Sequence, residues 1–387
     1  MGRPVGVEAS ERAFTSVLTG LAPLRAFFRV VWCGSKIGES LSFTASEEQL
    51  VVRSINATRS VASEFCFSKL FFDDYVLADS RGSKVATSIA AAKFLLPAVK
   101  NPGLVKQLTF SLLVKDQVLL IELLLKSDIL KRFHIPAEDS EILRAVYNTD
   151  RCTCNASVRP RFLSDILSNF HGKLEEIKFA CSSSQFRVLS FVEDEDENTM
   201  NVLLRTEIAV DVKEFEEYFF PKAGVVELTF SFKAFRAILE LAEGFDVPLR
   251  IFFDKGGLPI VFIISYPGTV NQSFEAQFIL ATRQHITDSA GSSRTDLQST
   301  AESGRKQNSL AEKASASTAP ESSTRRGNTS IASFLTRGDN DDGSWNRAAN
   351  SNETPAHAEK SGIDESRGDR GDDEDDDEFV EGTPPPE

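Results

Sequence analysis

Gln49-Leu50-Val51-Val52-Arg53 and Gln185-Phe186-Arg187-Val188-Leu189 read as one strand written twice. Each is a short run of strand-forming residues opened by the same glutamine. The aromatic cluster Phe71, Phe72 and Tyr75 returns as Phe215, Tyr218, Phe219 and Phe220. A helix then leads into a long hairpin over residues 108–126, and again over 249–266. The offset stays near ~140 residues, far beyond the ~20–50 of solenoid repeats, so the unit repeated is a whole domain. Two like domains in one chain point to a function of architecture.

Composition divides the chain. Of 387 residues, 41% are hydrophobic, concentrated before residue 284. The last hundred residues are rich in Ser, Asp, Glu, Gly, Arg and Ala, and read as a disordered tail over residues 287–387, too polar to offset chain entropy. Net charge is −14, yet residues 364–387 alone hold twelve acids against two arginines. Acidity overall therefore does not exclude nucleic acid, because charge can be segregated by face. No run approaches ~18 apolar residues, so no membrane span is expected. The first ten residues lack a basic-then-apolar leader pattern. Five cysteines without regular spacing suit a reducing compartment.

The expected first domain covers residues 1–133. Residues 12–22 read as a helix with Phe14, Val17, Leu18 and Leu21 on one stripe. Strands are expected at 39–43, 49–53 and 61–67, a short helix at 91–99 ended by Pro97, and a hairpin around Lys115-Asp116-Gln117. Residues 134–160, polar and aperiodic with prolines at both ends, read as a connector. The second domain, 161–286, repeats the pattern with helices at 161–170 and 231–245. Residues 108–114 and 203–210 are the expected edge strands.

All four helices pair an apolar stripe with small or basic residues. Arg12, Lys93, Lys100, Arg159, Arg161, Lys233 and Arg236 fall on the polar sides. If the helices share one face of a sheet, these cations form a stripe that meets phosphates without reading bases. Exposed helix faces are charged in many proteins, and Asp165, Glu240 and Glu243 dilute the stripe.

Lys36-Ile37-Gly38-Glu39-Ser40-Leu41, Ser54-Ile55-Asn56-Ala57-Thr58-Arg59-Ser60 and Leu70-Phe71-Phe72-Asp73-Asp74-Tyr75 resemble segments of the DNA sliding clamps. With Phe252-Phe253-Asp254, Gly257-Leu258-Pro259 and Phe278-Ile279-Leu280-Ala281-Thr282, they resemble most closely the Rad-nine subunits of the heterotrimeric nine-one-one checkpoint clamp. The resemblance implies an α+β fold of two tandem clamp domains, helices on one face of a curved sheet, with a disordered C-terminal tail. It implies a non-catalytic nuclear scaffold without cofactor or metal. Its implied partners are two other clamp subunits, double-stranded DNA bound without sequence specificity, an ATP-dependent loader, a phosphopeptide-binding checkpoint mediator and repair enzymes, with no membrane. Against the family pattern, which runs almost directly from the first helix into the Ile37-Gly38-Glu39 strand, residues 23–35 read as an insertion, and the first ten residues are a poor version of its opening apolar strand.

In the tail, Asn328, Ile331, Phe334 and Leu335 resemble the clamp-binding peptide box, with Asn for its glutamine and Leu for its second aromatic. The plainer reading is an incidental apolar island. Thr354, Ser361 and Thr383 are phosphorylation candidates: Ser361 has Asp364 three residues on, and the threonines precede prolines. Gly382-Thr383-Pro384-Pro385-Pro386 resembles a segment that precedes a basic-aromatic stretch in several family members. Cys152 and Cys154 lack zinc-ligand spacing, and His134, His171, His285 and His357 have no partner at ligand or triad spacing. The acids at 193–197 read as a solvated turn. The alternatives are a homotrimeric replication-type clamp and a metal-dependent 3′–5′ exonuclease.

Overall fold

Gly20, at a φ of 79°, divides what reads as the first helix into a strand and a longer helix. The structure is a computed structural model that describes residues 12–78, 85–113, 116–138, 143–191, 205–267, 273–284 and 330–337. Strand β1 is Phe14–Thr19, and helix α1 is Leu21–Ile37. The expected helix at 12–22 is thus corrected. Phe14, Ser16 and Leu18 point inward and the residues between them do not, which is a period of two. Phe14 and Leu18 satisfy both periods, so the four-residue spacing alone misled.

The expected insertion at 23–35 is corrected with it, because those residues are α1 itself. Pro23 sits in the first turn, where its missing N–H has no intrahelical partner to lose. Leu24, Phe27, Phe28, Val31 and Ile37 are buried in the core. Gly38 ends the helix, and a Cβ there would lie 2.4 Å from Ser54 Oγ and 2.5 Å from the Ile55 carbonyl oxygen. The close approach of two backbones therefore requires glycine at this position.

The first half continues with β2 Ser40–Ala45, β3 Gln49–Ile55, β4 Val61–Ser68, β5 Asp74–Leu77, β6 Ala86–Ala91, α2 Ala92–Leu95, β7 Val105–Leu113, β8 Val118–Leu125 and β9 Leu130–Glu138. A short strand, β10 Leu143–Ala145, follows. The second half repeats the order: β11 Cys154–Val158, α3 Pro160–Leu167, β12 Glu176–Cys181, β13 Gln185–Phe191, β14 Glu207–Asp211, β15 Glu217–Phe219, β16 Val226–Ser231, α4 Phe232–Phe245, β17 Leu249–Phe253, β18 Ile260–Tyr266 and β19 Phe274–Leu280. The two glutamines of the opening repeat start β3 and β13, equivalent strands. The expected connector at 134–160 is corrected at both ends. β9 runs through Glu138 in the first-half sheet, and β11 pairs with β17 from Cys154. Strand alternation there is masked by His134 and Pro136 on the exposed side.

Antiparallel pairing of β19 with β4, Phe274 opposite Phe67 through Leu280 opposite Val61, joins the halves. The resulting sheet runs β15-β11-β17-β18-β19-β4-β3-β2-β6-β9-β8-β7-β1-β5, beside a second of order β14-β13-β12-β16. The expected edge at 108–114 is interior, since β7 lies between β1 and β8. Among the described residues, β14 pairs only with β13, and β9 pairs with β6 only at its last two residues.

The helices pack on one face. Phe27 meets Phe67 and Phe110, while Phe235 meets Phe179, Phe230 and Phe262. Each buried ring contributes about 1.5–3 kcal/mol. The strands also bury their other face near the joint. Ile260, Phe262 and Ile264 enter the helix-side core, whereas Val261 and Ile263 join Ala62, Ile279 and Ala281 in a separate cluster. The alternation along β18 and β19 makes that cluster the outer face.

Candidate nucleic-acid interface and peptide groove

The helix layer brings most of the expected cations to one side. Lys93, Lys100, Arg159, Arg161, Lys233 and Arg236 are all exposed. Only four residues of the expected helix at 91–99 are helical, so Lys100 sits in the turn beyond it. Lys93 lies over the Phe94 ring at 4.9 Å and Arg236 over Phe232 at 5.7 Å, which holds their stems along the helix surface. Arg161 has Asp246 at 3.8 Å, an exposed pair that solvent screens.

Arg12 is not among them. It lies before β1, where its guanidinium donates to Ser111 Oγ and pairs with Glu122 on the sheet. The correction follows from the strand at Phe14–Thr19: without a helix, Arg12 has no helix face to occupy.

α1 supplies what Arg12 does not. Arg25, Arg29, Trp32 and Lys36 are its exposed stripe, at spacings of four, three and four residues. This helical signal was present in the sequence, passed over because residues 23–35 read as an insertion against the family pattern. Lys36 Nζ stands 4.4 Å from the Trp32 ring. Arg29 donates to the Gly244 carbonyl of α4 and lies over Phe245 at 5.5 Å. Cys33 Sγ donates to the Ala237 carbonyl at 3.5 Å, and burial pushes that thiol far up from its ordinary pKa. α1 and α4, from different halves, are thus packed together. Beside them is a cleft of about 370 Å³ lined by Arg29, Trp32, Lys36, Arg161, Glu240 and Glu243. The arrangement is a set of exposed cations with intervening acids, charges of the kind that meet phosphates.

The opposite face carries a second site. Ile331 is fully buried among Ala62, Val261, Ile263, Ile279 and Ala281. Phe334 meets Tyr147 edge-on at 5.2 Å. Leu335–Arg337 forms β20, antiparallel to β10 with Leu335 opposite Ala145. The expected incidental island is therefore corrected: three of the four box residues dock on the chain, and Asn328 lies outside the described residues. The expectation of a disordered tail is corrected for 330–337, and the rest of 287–387 lies outside the described residues.

The turn Asn56–Ser60 holds this segment. Asn56 Oδ1 accepts from the N–H groups of Ser60 and Val61, at 2.9 and 3.0 Å. Arg59, at a φ of 52°, then presents its carbonyl to the Ile331 N–H at 2.8 Å. Burial pushes the Tyr147 phenol up to about 12, so it lies neutral over Phe334.

Burial is the chief cause that pushes the Cys152 thiol up to about 11. His171 Nδ1 accepts from the Lys173 N–H. Among the described residues no three His, Cys, Asp or Glu side chains gather to hold a metal, and no helix is long and apolar enough to cross a membrane. Thr354, Ser361, Thr383, His285, His357 and the acids at 193–197 lie outside the described residues.

The Rad9 family model matches residues 27–283, running through the stretch expected to be an insertion. The chain is 26% identical over 246 residues to the cell cycle checkpoint control protein Rad9 of Drosophila melanogaster, covering 64% of this chain and 52% of that one. It is 23% identical over 294 residues to the DNA repair protein rad9 of Schizosaccharomyces octosporus, covering 67% of each. The chain thus spans about half the length of the fly relative. Among solved structures, the PCNA of Thermococcus kodakaraensis superimposes with a TM-score of 0.54 at 15% identity, over 70% of this chain and 100% of that one. The PCNA of Entamoeba histolytica gives 0.54 at 13% identity, over the same shares.

Proposed function

The chain belongs to the Rad9 family and has the PCNA-like clamp fold, and from that premise we propose that it is one subunit of a three-chain ring that encircles duplex DNA. The observation that supports this most directly is the joint between its halves. β19 pairs with β4. By the internal repeat, their counterparts are β9 and β14; among the described residues the outer edge of β14 is open, and that of β9 is open but for its last two residues. The same joint formed between chains, β9 of one with the β14 equivalent of the next, repeats the internal geometry until three two-domain chains close. The helix layer then faces the hollow, and its cations meet phosphates whatever the sequence.

In this reading the chain is a non-catalytic nuclear scaffold for checkpoint signalling and DNA repair. Two different clamp subunits complete the ring, an ATP-driven loader opens it at damaged or recessed ends, and a phosphopeptide-binding mediator and repair enzymes dock on it. Thr354, Ser361 and Thr383 are the proposed phosphorylation sites. The alternatives are a homotrimeric processivity clamp and a metal-dependent exonuclease.

Co-purification from cells followed by native mass measurement tests the reading. A one-to-one-to-one ring with two further clamp chains, retained on circular DNA and lost on linearisation, is expected. A ring-sized homotrimer of the chain alone at micromolar concentration would favour the replication-type clamp. Divalent-metal-dependent cleavage that copurifies with the chain would favour the nuclease.

A further inference from the structure

We propose that residues 330–337 close the outer groove in cis, and that Ser330 is a phosphorylation site that opens it. The groove is built for an apolar peptide. With the tail removed, Ala62, Val261, Ile263, Ile279 and Ala281 would lie open to water beside Tyr147. An external peptide with the same Ile-x-x-Phe-Leu spacing would bind by replacing these contacts one for one. The chain's own segment competes at an effective concentration on the order of millimolar, as tethered ligands do. The groove is therefore closed to weak external peptides until the tail leaves.

Ser330 stands at the point where the segment is anchored. Its Oγ donates to the Arg59 carbonyl at 3.3 Å and accepts the Ala332 N–H at 3.1 Å. The first bond ties the tail to the Asn56–Ser60 turn, alongside the Ile331 N–H on the same carbonyl. The second caps the short turn Ala332–Phe334 that aims Phe334 at Tyr147. A protein kinase would transfer the γ-phosphoryl group of ATP to this oxygen. The Oγ–P bond forms, the bond from the γ-phosphorus to the ADP oxygen breaks, ADP leaves, and the hydroxyl proton passes to the kinase's base. The product has no hydroxyl hydrogen for Arg59 and sets roughly two negative charges against that carbonyl oxygen. Arg325 and Arg326 precede the site, a charge pattern suited to a kinase with an acidic substrate groove.

The proposal needs neither DNA nor a partner chain, so its test stands apart from the ring. The full-length chain is titrated with a fluorescein-labelled peptide of residues 328–337. Ile331→Asp, and separately deletion of 328–337, empty the groove of its own segment. Both variants are expected to bind the peptide at least about tenfold more tightly than the unaltered chain. The same peptide phosphorylated at Ser330 is expected to bind either variant at least about tenfold more weakly than the plain peptide. Equal binding by the unaltered chain and the variants, or binding to none of them, would overturn closure in cis. Equal or tighter binding of the phosphorylated peptide would overturn the role of Ser330.

Discussion

The Tyr75 hydroxyl donates to the Ser46 carbonyl at 2.7 Å, and the second half makes the same bond between Tyr218 and Ser182 at 2.8 Å. In both halves the serine begins the turn that leads into the repeated glutamine, with Ser46 N–H on the Gln49 carbonyl and Ser182 N–H on that of Gln185. The aromatic cluster is thus repeated for a reason: one phenol in each half ties the β2–β3 or β12–β13 turn to the core. Tyr75→Phe and Tyr218→Phe should each cost about 1 kcal/mol, the net worth of one half-buried hydrogen bond. Urea unfolding of the two single variants checks this, and a loss at only one site would show that the halves do not share the device.

Gly38 offers a sharper test of backbone packing. Gly38→Ala would force a methyl group against the Ile55 carbonyl, which is backbone and cannot rotate away. A destabilisation of about 1–3 kcal/mol is expected. Gly103, with nothing within 4 Å of its would-be Cβ, is the control: Gly103→Ala should be near neutral in the same melt.

The helix layer predicts a salt dependence. Reversing Lys93, Lys100, Lys233 and Arg236 together should weaken retention of DNA by the assembled ring without altering sequence preference. For every phosphate the ring no longer neutralises, the slope of log affinity against log salt should fall by about 0.9. Reversing Arg25, Arg29 and Lys36 on α1 should add to that effect. Arg12→Glu should leave the slope unchanged, because Arg12 is engaged with Ser111 and Glu122 on the sheet. A slope unmoved by all seven helix-layer changes would remove that layer from the DNA interface.

Asp254 predicts a pH dependence. Hydrogen bonds from Lys222 and from Thr153, the latter at 2.6 Å, hold its carboxyl below the usual range. A lowered folded pKa means the carboxylate form favours the fold. Its contribution is therefore whole above the ordinary Asp value of about 3.9 and is lost as pH falls through the depressed one. The stability difference between the unaltered chain and Asp254→Asn should hold constant from about pH 8 to pH 5 and shrink below that. A difference that instead grows on acidification would contradict the assignment.

Much of the fold was legible because repetition survives where individual signals fail. The strands beginning at Gln49 and Gln185 and the helix Phe232–Phe245 carry local patterns strong enough to be read alone. The first helix was misread because Phe14 and Leu18 fit either period, and because residues 23–35 read as an insertion against the family pattern. The Rad9 family match extends from residue 27, inside that helix. The cations Arg25, Arg29 and Lys36 were missed for the same reason. The docked tail was beyond sequence reading: nothing local in Ile331, Phe334 and Leu335 separates a ligand from an apolar accident, since the difference lies in Ala62, Val261 and Ile279.

By itself the chain determined that two like domains exist, that their cores are built on phenylalanine, and that their helices are polar on one side. These follow from spacing, which acts between neighbours along the backbone. Only the tertiary structure decided that β19 joins β4, that among the described residues β14 is left with an open edge and β9 with one open but for its last two residues, and that Ile331 fills the outer groove. Such pairings join residues hundreds of positions apart. Their energy depends on which buried faces meet, and no local pattern encodes that.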